Sequence, residues 1–312
     1  MQWTQADGVW TTQQCTWLHG SEDDEKSQKL QRHRGLWDAL YSSLLLRDVA
    51  HVIPYRTGEI ALLGQSEGVE STIASALVRE CIYGRRDLTD AVRGFCESCI
   101  PRVVSAGQAV FEVVFTKGKQ AAPAPDSFYL VHVQNYRRRL GRHMQYVPRE
   151  GWKRIEGERL VVFQLSKNLR VAVDKAMRVL ASGSGHQSVL HEVVRNRPAG
   201  YDFREHRKRE EIVLSRATRE VGWRSPHFSE YALEPYEVSR HLTWYEFRAE
   251  LREIAIVGLN RALRIAGSAM GFDSQLECRG LYTHDDVAQA RERLEKGQCG
   301  RLVELIEPFL QS

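Results

Sequence analysis

The stretch Leu88–Phe115, LTDAVRGFCESCIPRVVSAGQAVFEVVF, passes from a helical pattern to a strand pattern. Its first part, up to Val104, carries apolar residues at helical spacing, and Pro101 is expected to bend or break that helix. After Gly107 the run Gln108–Thr116 is almost fully apolar and rich in valine and phenylalanine, which predicts a buried strand. This stretch therefore indicates a fold that combines helices with a small sheet.

Three further strands are predicted at residues 128–133, 144–147 and 160–165, so that residues 108–165 form a small β-rich module. Helical patterns cover much of the remaining chain, at residues 36–50, 73–82, 168–180, 203–221, 236–266 and 283–294, the last opened by a capping box at Thr283 and Asp286. The predicted fold class is α+β and mainly helical.

The chain has 312 residues, 42% hydrophobic and 27% charged, with a formal net charge of +4. This composition is that of an ordinary globular protein with a sizeable core, and it excludes a histone-like coat for nucleic acid. Of the 44 basic residues, 9 are lysine and 35 are arginine. A GC-rich genome would explain this bias, and so would a need for bidentate donors to carboxylates or phosphates.

The N-terminal residues show no secretory signal, and the densest early apolar run, Leu44–Leu46, is far too short to span a bilayer. Synthesis as a soluble intracellular protein is therefore expected. The six cysteines do not resemble a disulfide framework. Cys96 and Cys99 form the one CxxC motif, but they continue an apolar stripe, so a packing role is predicted.

Motifs for catalysis are absent from the sequence. It contains no GxxxxGK[ST] or GxGxxG phosphate-binding loop, no HExxH zinc motif and no GxSxG nucleophile elbow, and its eleven histidines form no metal-ligand spacing. We therefore predict no enzymatic activity, no cofactor and no metal. An enzyme with an unrecognised site using Cys96 or His191 stays as a third hypothesis, although no spacing supports it.

The most basic segment, Tyr136–Arg142, lies between two predicted strands. Its guanidinium groups could bind phosphates or an acidic partner surface, and they could equally be the solvated turn of a hairpin. The interleaved Tyr136, His143 and Tyr146 favour a contact surface. The candidate contact residues, for a protein partner or for DNA, are Arg137, Arg138, Arg139 and Arg142.

The order of these segments resembles the portal, or head-to-tail connector, proteins of tailed bacteriophages. Leu88–Phe115 is similar to a portal helix that runs into a strand of G-x-x-x-F-E-[IV]-V type. Phe128–Leu180 is similar to a portal clip domain, with a strand, a basic hairpin and another strand, followed by a second stem helix. Tyr231–Gly280 resembles the long helix behind the portal tunnel loop.

This resemblance implies a portal-like subunit with wing, helical stem, small β-rich clip and a long helix behind a tunnel loop. The implied divisions are an N-terminal wing part (1–87), a first stem helix and exit strand (88–120), a clip-like module (121–165), a second stem helix (166–200), a wing and tunnel-loop region with the long helix (201–270) and a short crown-like region (271–312). The implied tunnel-loop candidates are Arg216, Arg219, Arg224 and His227.

The resemblance also implies a homo-oligomeric ring, commonly of twelve subunits, at one capsid vertex of the virion, made in the host cytoplasm and without a membrane partner. Double-stranded DNA would pass through the ring during packaging and ejection. The implied protein partners are the major capsid protein, terminase and head-tail adaptor proteins. The alternative that the residues leave open is an arginine-rich, nucleic-acid-binding regulatory protein, motivated by Arg137–Arg142 and Arg204–Arg209.

Overall fold

The computed structural model of the chain describes residues 4–6, 9–12, 40–55, 57–64, 68–78, 87–117, 124–183, 202–224, 234–298 and 304. Within these ranges the protein has seven α-helices and ten β-strands, and most of the described residues are helical. The α+β, mainly helical class predicted from the sequence is therefore confirmed.

The α-helices are α1 (Leu40–Ala50), α2 (Val69–Val78), α3 (Leu88–Ala106), α4 (Lys167–Gly183), α5 (Phe203–Ala217), α6 (Glu234–Met270) and α7 (His284–Glu295). The strands are β1 (Thr4–Ala6), β2 (Val9–Thr11), β3 (Glu59–Leu63), β4 (Gln108–Lys117), β5 (Ser127–His132), β6 (Tyr136–Arg139), β7 (Arg142–Val147), β8 (Gly151–Ile155), β9 (Leu160–Gln164) and β10 (Gln275–Arg279).

The described residues divide into two compact units. The first contains β1 and β2 together with the described parts of Gly58–Gln164 and Glu253–Arg279. The second contains residues 40–55 and 57 and the described parts of Leu165–Arg252 and of the chain from Gly280 onward. Helix α6 contributes residues to both units.

Strand β4 is the centre of the first unit. It pairs antiparallel with β2, β5 and β9 in a five-stranded sheet that β1 completes. Every residue from Ala109 to Phe115 is buried, as expected for an apolar strand covered on both faces. Gln108, the first residue of β4, pairs with Gln164, the last residue of β9. The two ends of the segment 108–164 therefore lie next to each other.

Helix α3 leads directly into β4. The Asp87 side chain caps its start by accepting a hydrogen bond from the Asp90 N–H at 2.8 Å. The helix ends at Gly107, whose φ of 76° lies in the left-handed region that favours glycine. Phe95 of this helix packs against Phe111 and Phe163 of the sheet, with ring centroids 5.1 and 5.5 Å away. These contacts fasten the helix onto the sheet that follows it.

Pro101 lies inside α3 and does not end it, so the expectation of a break is wrong. A proline in a helix interior costs about 3 kcal/mol, because it removes one hydrogen bond and its ring meets the preceding turn. The neighbouring Ile100 and Val103 are completely buried, as are Cys96 and Cys99. Burial of this face outweighs the cost, and it confirms that the two cysteines have a packing role.

The three predicted strands of the β-rich module are confirmed as β5, β7 and β9. Strands β6 and β8 were not predicted, and neither was the two-stranded pairing of β3 with β10. The predicted helices are found over their described parts, except that the helix predicted at residues 203–221 ends at Ala217 and is followed by a 3-10 turn at Arg219–Val221. The capping box at Thr283 and Asp286 opens α7 as expected.

The second unit is built from α1, α4, α5, α7 and the first part of α6. Buried Trp223 donates its indole N–H to the Asp48 carboxylate at 2.9 Å. Arg252 donates to the Val52 carbonyl at 3.1 Å and places its guanidinium 4.9 Å from the centroid of the Tyr282 ring. The apolar cluster beside them comprises Val238, Leu242, Tyr245, Ala249, Tyr282, Val287 and Ala290.

Candidate functional site

The basic segment of the sequence forms the hairpin of β6 and β7. Arg139 and Arg142 lie directly opposite each other on either side of a two-residue turn, Leu140-Gly141. Both turn residues have positive φ, 48° and 76°, as a type I′ turn requires. Leu140 is 92% exposed at the tip of this hairpin.

Strand β8 pairs with the other side of β7, placing Trp152 opposite Tyr146 and Arg154 opposite Met144. Directly opposed residues share a face of a sheet, and successive residues of a strand alternate between its two faces. One face, which we call the arginine face, therefore carries Arg137, Arg139, Arg142, Met144, Tyr146, Trp152 and Arg154.

The four arginines of the arginine face are exposed. The Arg137 guanidinium lies 5.8 Å from the centroid of the Trp152 ring, and Tyr146 meets that ring edge-on at 5.6 Å. Across the described ranges no ion pair involves Arg137, Arg139, Arg142 or Arg154. Their charge is therefore available to an anionic group from another molecule.

Arg138 lies on the opposite face, directly across from His143. There the Tyr136 hydroxyl is 2.6 Å from His143 Nδ1. Burial lowers the pKa of His143, and the charges of Arg138 and Arg261 lower it further. Burial also raises the pKa of Tyr136, although Arg138 opposes that effect. At neutral pH both side chains are therefore uncharged, and the hydroxyl can donate to the imidazole.

This opposite face holds the small sheet against the rest of its unit. Ile155 is buried, and Tyr136 packs beside it, against an apolar cluster that includes Val110, Val133 and Leu160. The two faces thus differ in role: one packs Tyr136 and Ile155 against the protein, and the other carries four exposed arginines beside the buried Tyr146.

The structure brings together only part of the predicted basic cluster. Arg137, Arg139 and Arg142 share a face, whereas Arg138 does not. Sequence reasoning missed Arg154 and Trp152, because β8 was not identified as a strand. The available signal was their i, i+2 spacing, which places both on one face of any strand that contains them.

The tunnel-loop candidates have different surroundings, in the second unit. Arg216 is exposed near the end of α5, and Arg219 is exposed in a 3-10 turn at Arg219–Val221. Arg224 forms an ion pair of 2.6 Å with Glu237 and hydrogen bonds to His241. His227 lies outside the described residues.

Arg240 organises this region. It is 4% exposed and donates hydrogen bonds to the Ser215 carbonyl and the Tyr236 hydroxyl, each at 3.0 Å, and to Thr218 Oγ1 and the Trp223 carbonyl, each at 2.5 Å. One buried cation therefore joins the end of α5, the 3-10 turn and the start of α6. Burial acts to raise the pKa of Tyr236, but its hydrogen bonds with Ser215 and Arg240 and nearby positive charge lower it overall.

Within the described ranges no group of three or more His, Cys, Asp or Glu side chains could hold a metal ion. None of the described helices α1–α7 combines the length and the apolar composition that a membrane span requires. Compared with known proteins, the chain matches no protein-family model and no curated protein.

Proposed function

We propose that this chain is the subunit of a portal-like ring at a capsid vertex, through which double-stranded DNA is packaged and ejected. The observation that carries the proposal is the pairing of Gln108 with Gln164 at the base of the β-rich part. Helix α3 precedes that pair directly, and helix α4 begins three residues after it. This is the order expected of a stem helix, a clip and a second stem helix.

The length of α6 and the charges around it also support the proposal. Helix α6 has 37 residues, as the long helix behind a tunnel loop should. Residues 195–254 carry 12 Arg and Lys against 11 Asp and Glu. A ring that conducts DNA should not hold it by many phosphate contacts, because these would slow its movement. Balanced charge suits ion pairs between neighbouring subunits, which meet through different surfaces in a closed ring.

In this proposal the protein has no catalytic activity and no cofactor. The 121–165 module, with its arginine face, docks terminase during packaging and the head-tail adaptor proteins afterwards. The wing regions contact the major capsid protein. The assembled protein belongs to the virion, after synthesis in the host cytoplasm and without a membrane partner.

The test is the size and shape of the particle that the purified 312-residue chain forms. We expect mass photometry and negative-stain images to show closed rings of about twelve subunits with a central channel. Dilution into low and high salt should show whether ion pairs between subunits stabilise the ring. A chain that stays monomeric at high concentration in every condition contradicts the proposal.

A second candidate function is DNA binding by a regulatory protein, and the exposed arginine face favours it. It predicts tight binding of duplex DNA by the monomer, with affinity falling steeply as salt rises. Replacing Arg137, Arg138 and Arg139 by alanine should then abolish that binding. Binding that is unchanged in the triple variant would contradict this candidate.

A further inference from the structure

We propose that the arginine face and the outer edge of β6 dock an extended acidic segment of a partner protein, which adds a strand beside β6. This inference deepens the proposed function. It rests on that function for one point, that the partner is a component that docks on the ring. The partner is identified only by its chemistry: a segment whose acidic side chains alternate with uncharged ones.

The first step of the inference is the open edge of the small sheet. Its order is β6-β7-β8, and among the described residues β6 pairs with β7 alone. An edge strand presents backbone N–H and C=O groups that another extended chain can pair with. Because β6 has four residues, this edge is only about 14 Å long, so backbone pairing alone gives little affinity. Side chains must supply the rest.

The second step is the spacing of charge along that edge. Arg137 and Arg139 are two residues apart on one face, a separation of about 6.8 Å in a strand. Acidic residues at i and i+2 of an added strand repeat at the same distance and would lie opposite them. A guanidinium forms two parallel hydrogen bonds to a carboxylate, which fixes the register. Arg142 and Arg154 extend the positive charge across the same face.

The third step distinguishes a protein segment from a nucleic acid. Single-stranded nucleic acid binds by stacking bases on free aromatic rings, but Arg137 and Tyr146 already contact the Trp152 ring. The exposed carboxylate of Glu158, three residues after the end of β8, opposes a long polyanion. A short segment with separated carboxylates can avoid it.

The exposed tip of the hairpin supports the same choice. Leu140, 92% exposed between Arg139 and Arg142, offers an apolar contact at the end of the arginine face. Protein interfaces combine apolar anchors with arginine, whereas a phosphate backbone offers nothing apolar to a leucine. The charge and the tip together fit an acidic protein segment.

The test uses a short fluorescent peptide in which glutamate alternates with valine. Its binding to the full chain is measured by fluorescence anisotropy. The control peptide has the same composition with its glutamates contiguous, and duplex and single-stranded DNA are the competing probes. We expect the alternating peptide to bind more tightly than every other probe, because only its carboxylates match the strand spacing.

The chain supplies a matched control for the arginines. Arg137→Ala and Arg139→Ala each remove one charge from the arginine face, whereas Arg138→Ala removes one charge from the opposite face. We expect each of the first two to weaken binding of the alternating peptide about fivefold, and Arg138→Ala to change it by less than about twofold. Circular dichroism of each variant checks that the fold is retained.

Three outcomes overturn the inference: equal loss of binding in Arg138→Ala, equal binding of the contiguous peptide, or tighter arginine-dependent binding of DNA. Mass photometry of the same samples separates this inference from the proposed function. Rings that do not bind the alternating peptide overturn the docking inference alone. Arginine-dependent binding by a chain that never forms rings overturns the ring and leaves the docking chemistry in place.

Discussion

Arg139 lies directly opposite Arg142 across the hairpin turn, so two like charges face each other on one side of the sheet. Such a pair destabilises a sheet by up to about 1 kcal/mol, because the guanidinium groups repel each other. No described acidic side chain forms an ion pair with either arginine. The hairpin thus keeps a destabilising arrangement that an acidic partner would relieve.

Arg142→Glu replaces this repulsion by attraction to Arg139. We expect the free energy of unfolding to rise by about 1 kcal/mol, with Arg142→Gln intermediate. Urea denaturation measures the gain, and peptide anisotropy should show weaker binding of the alternating acidic peptide. A variant that is more stable and binds equally well would argue against a docking role for Arg142.

Leu140→Asn should also stabilise the hairpin. A leucine at a φ of 48° adopts a backbone conformation that asparagine and glycine tolerate better. The expected gain is about 1 kcal/mol in urea denaturation. Gly141→Ala is the matched control: an added Cβ meets nothing within 4 Å, so its expected loss of about 1 kcal/mol reports the backbone alone. A loss of stability in Leu140→Asn would show that the leucine packs within the chain.

Gly258→Ala in α6 should destabilise the first unit, although alanine normally favours a helix by about 1 kcal/mol over glycine. A Cβ at this position would meet the Phe163 ring, which is itself buried in the core. The overpacking outweighs the propensity, and we expect a net loss of about 1 kcal/mol in urea denaturation. Val257→Ala, at a neighbouring position that is 66% exposed, should change stability by less than about 0.5 kcal/mol.

Arg240→Met should cost about 3 kcal/mol of stability, because it removes a buried cation that donates a hydrogen bond to each of several acceptors. The affected groups include Thr218 Oγ1 and the Trp223 carbonyl. Urea denaturation measures the loss. The exposed Arg219→Met is the control, and equal stability loss in both variants would contradict the role assigned to Arg240.

His132→Gln should make the free energy of unfolding depend less on pH. Burial on β5, with a smaller contribution from Arg102, lowers the pKa of His132 from 6.5 to about 3. The unfolded chain therefore binds a proton at His132 between these pH values and the folded chain does not, so stability falls as pH falls through that range. Urea denaturation at pH 7 and pH 4 should show a smaller difference in the variant. An equal difference would show that His132 does not contribute.

Helix α3 and strand β4 could be predicted because each carries one clear pattern, a helical stripe or an apolar run. Strands β6 and β8 could not be predicted from their sequences, YRRR and GWKRI. Charged residues occupy successive positions in both, so apolar and polar residues do not alternate as they do in a typical strand. Continuation of α3 through Pro101 depends on tertiary packing, which no local pattern records.

The candidate site was predictable as a basic segment but not as a surface. Separation of Arg138 from its neighbours depends on the pairing of β6 with β7, and a shift of one residue would reverse the two faces. Arg154 joins the arginine face only through the pairing of β8 with β7. The sequence therefore predicted that the segment is positively charged. Which of its side chains lie on one face depends on the register in which β6 and β8 pair with β7.

The pairing of Gln108 with Gln164 has an evolutionary consequence. A segment whose two ends lie side by side can be exchanged for another of different length without altering the spacing of the residues that flank it. The hairpin tip and its arginines could thus diverge rapidly to follow a changing partner, while α3 and the Phe95–Phe111 contact stay constant. In relatives of this chain, sequence change should be concentrated in the hairpin of β6 and β7 and not in α3 or the buried strand β4.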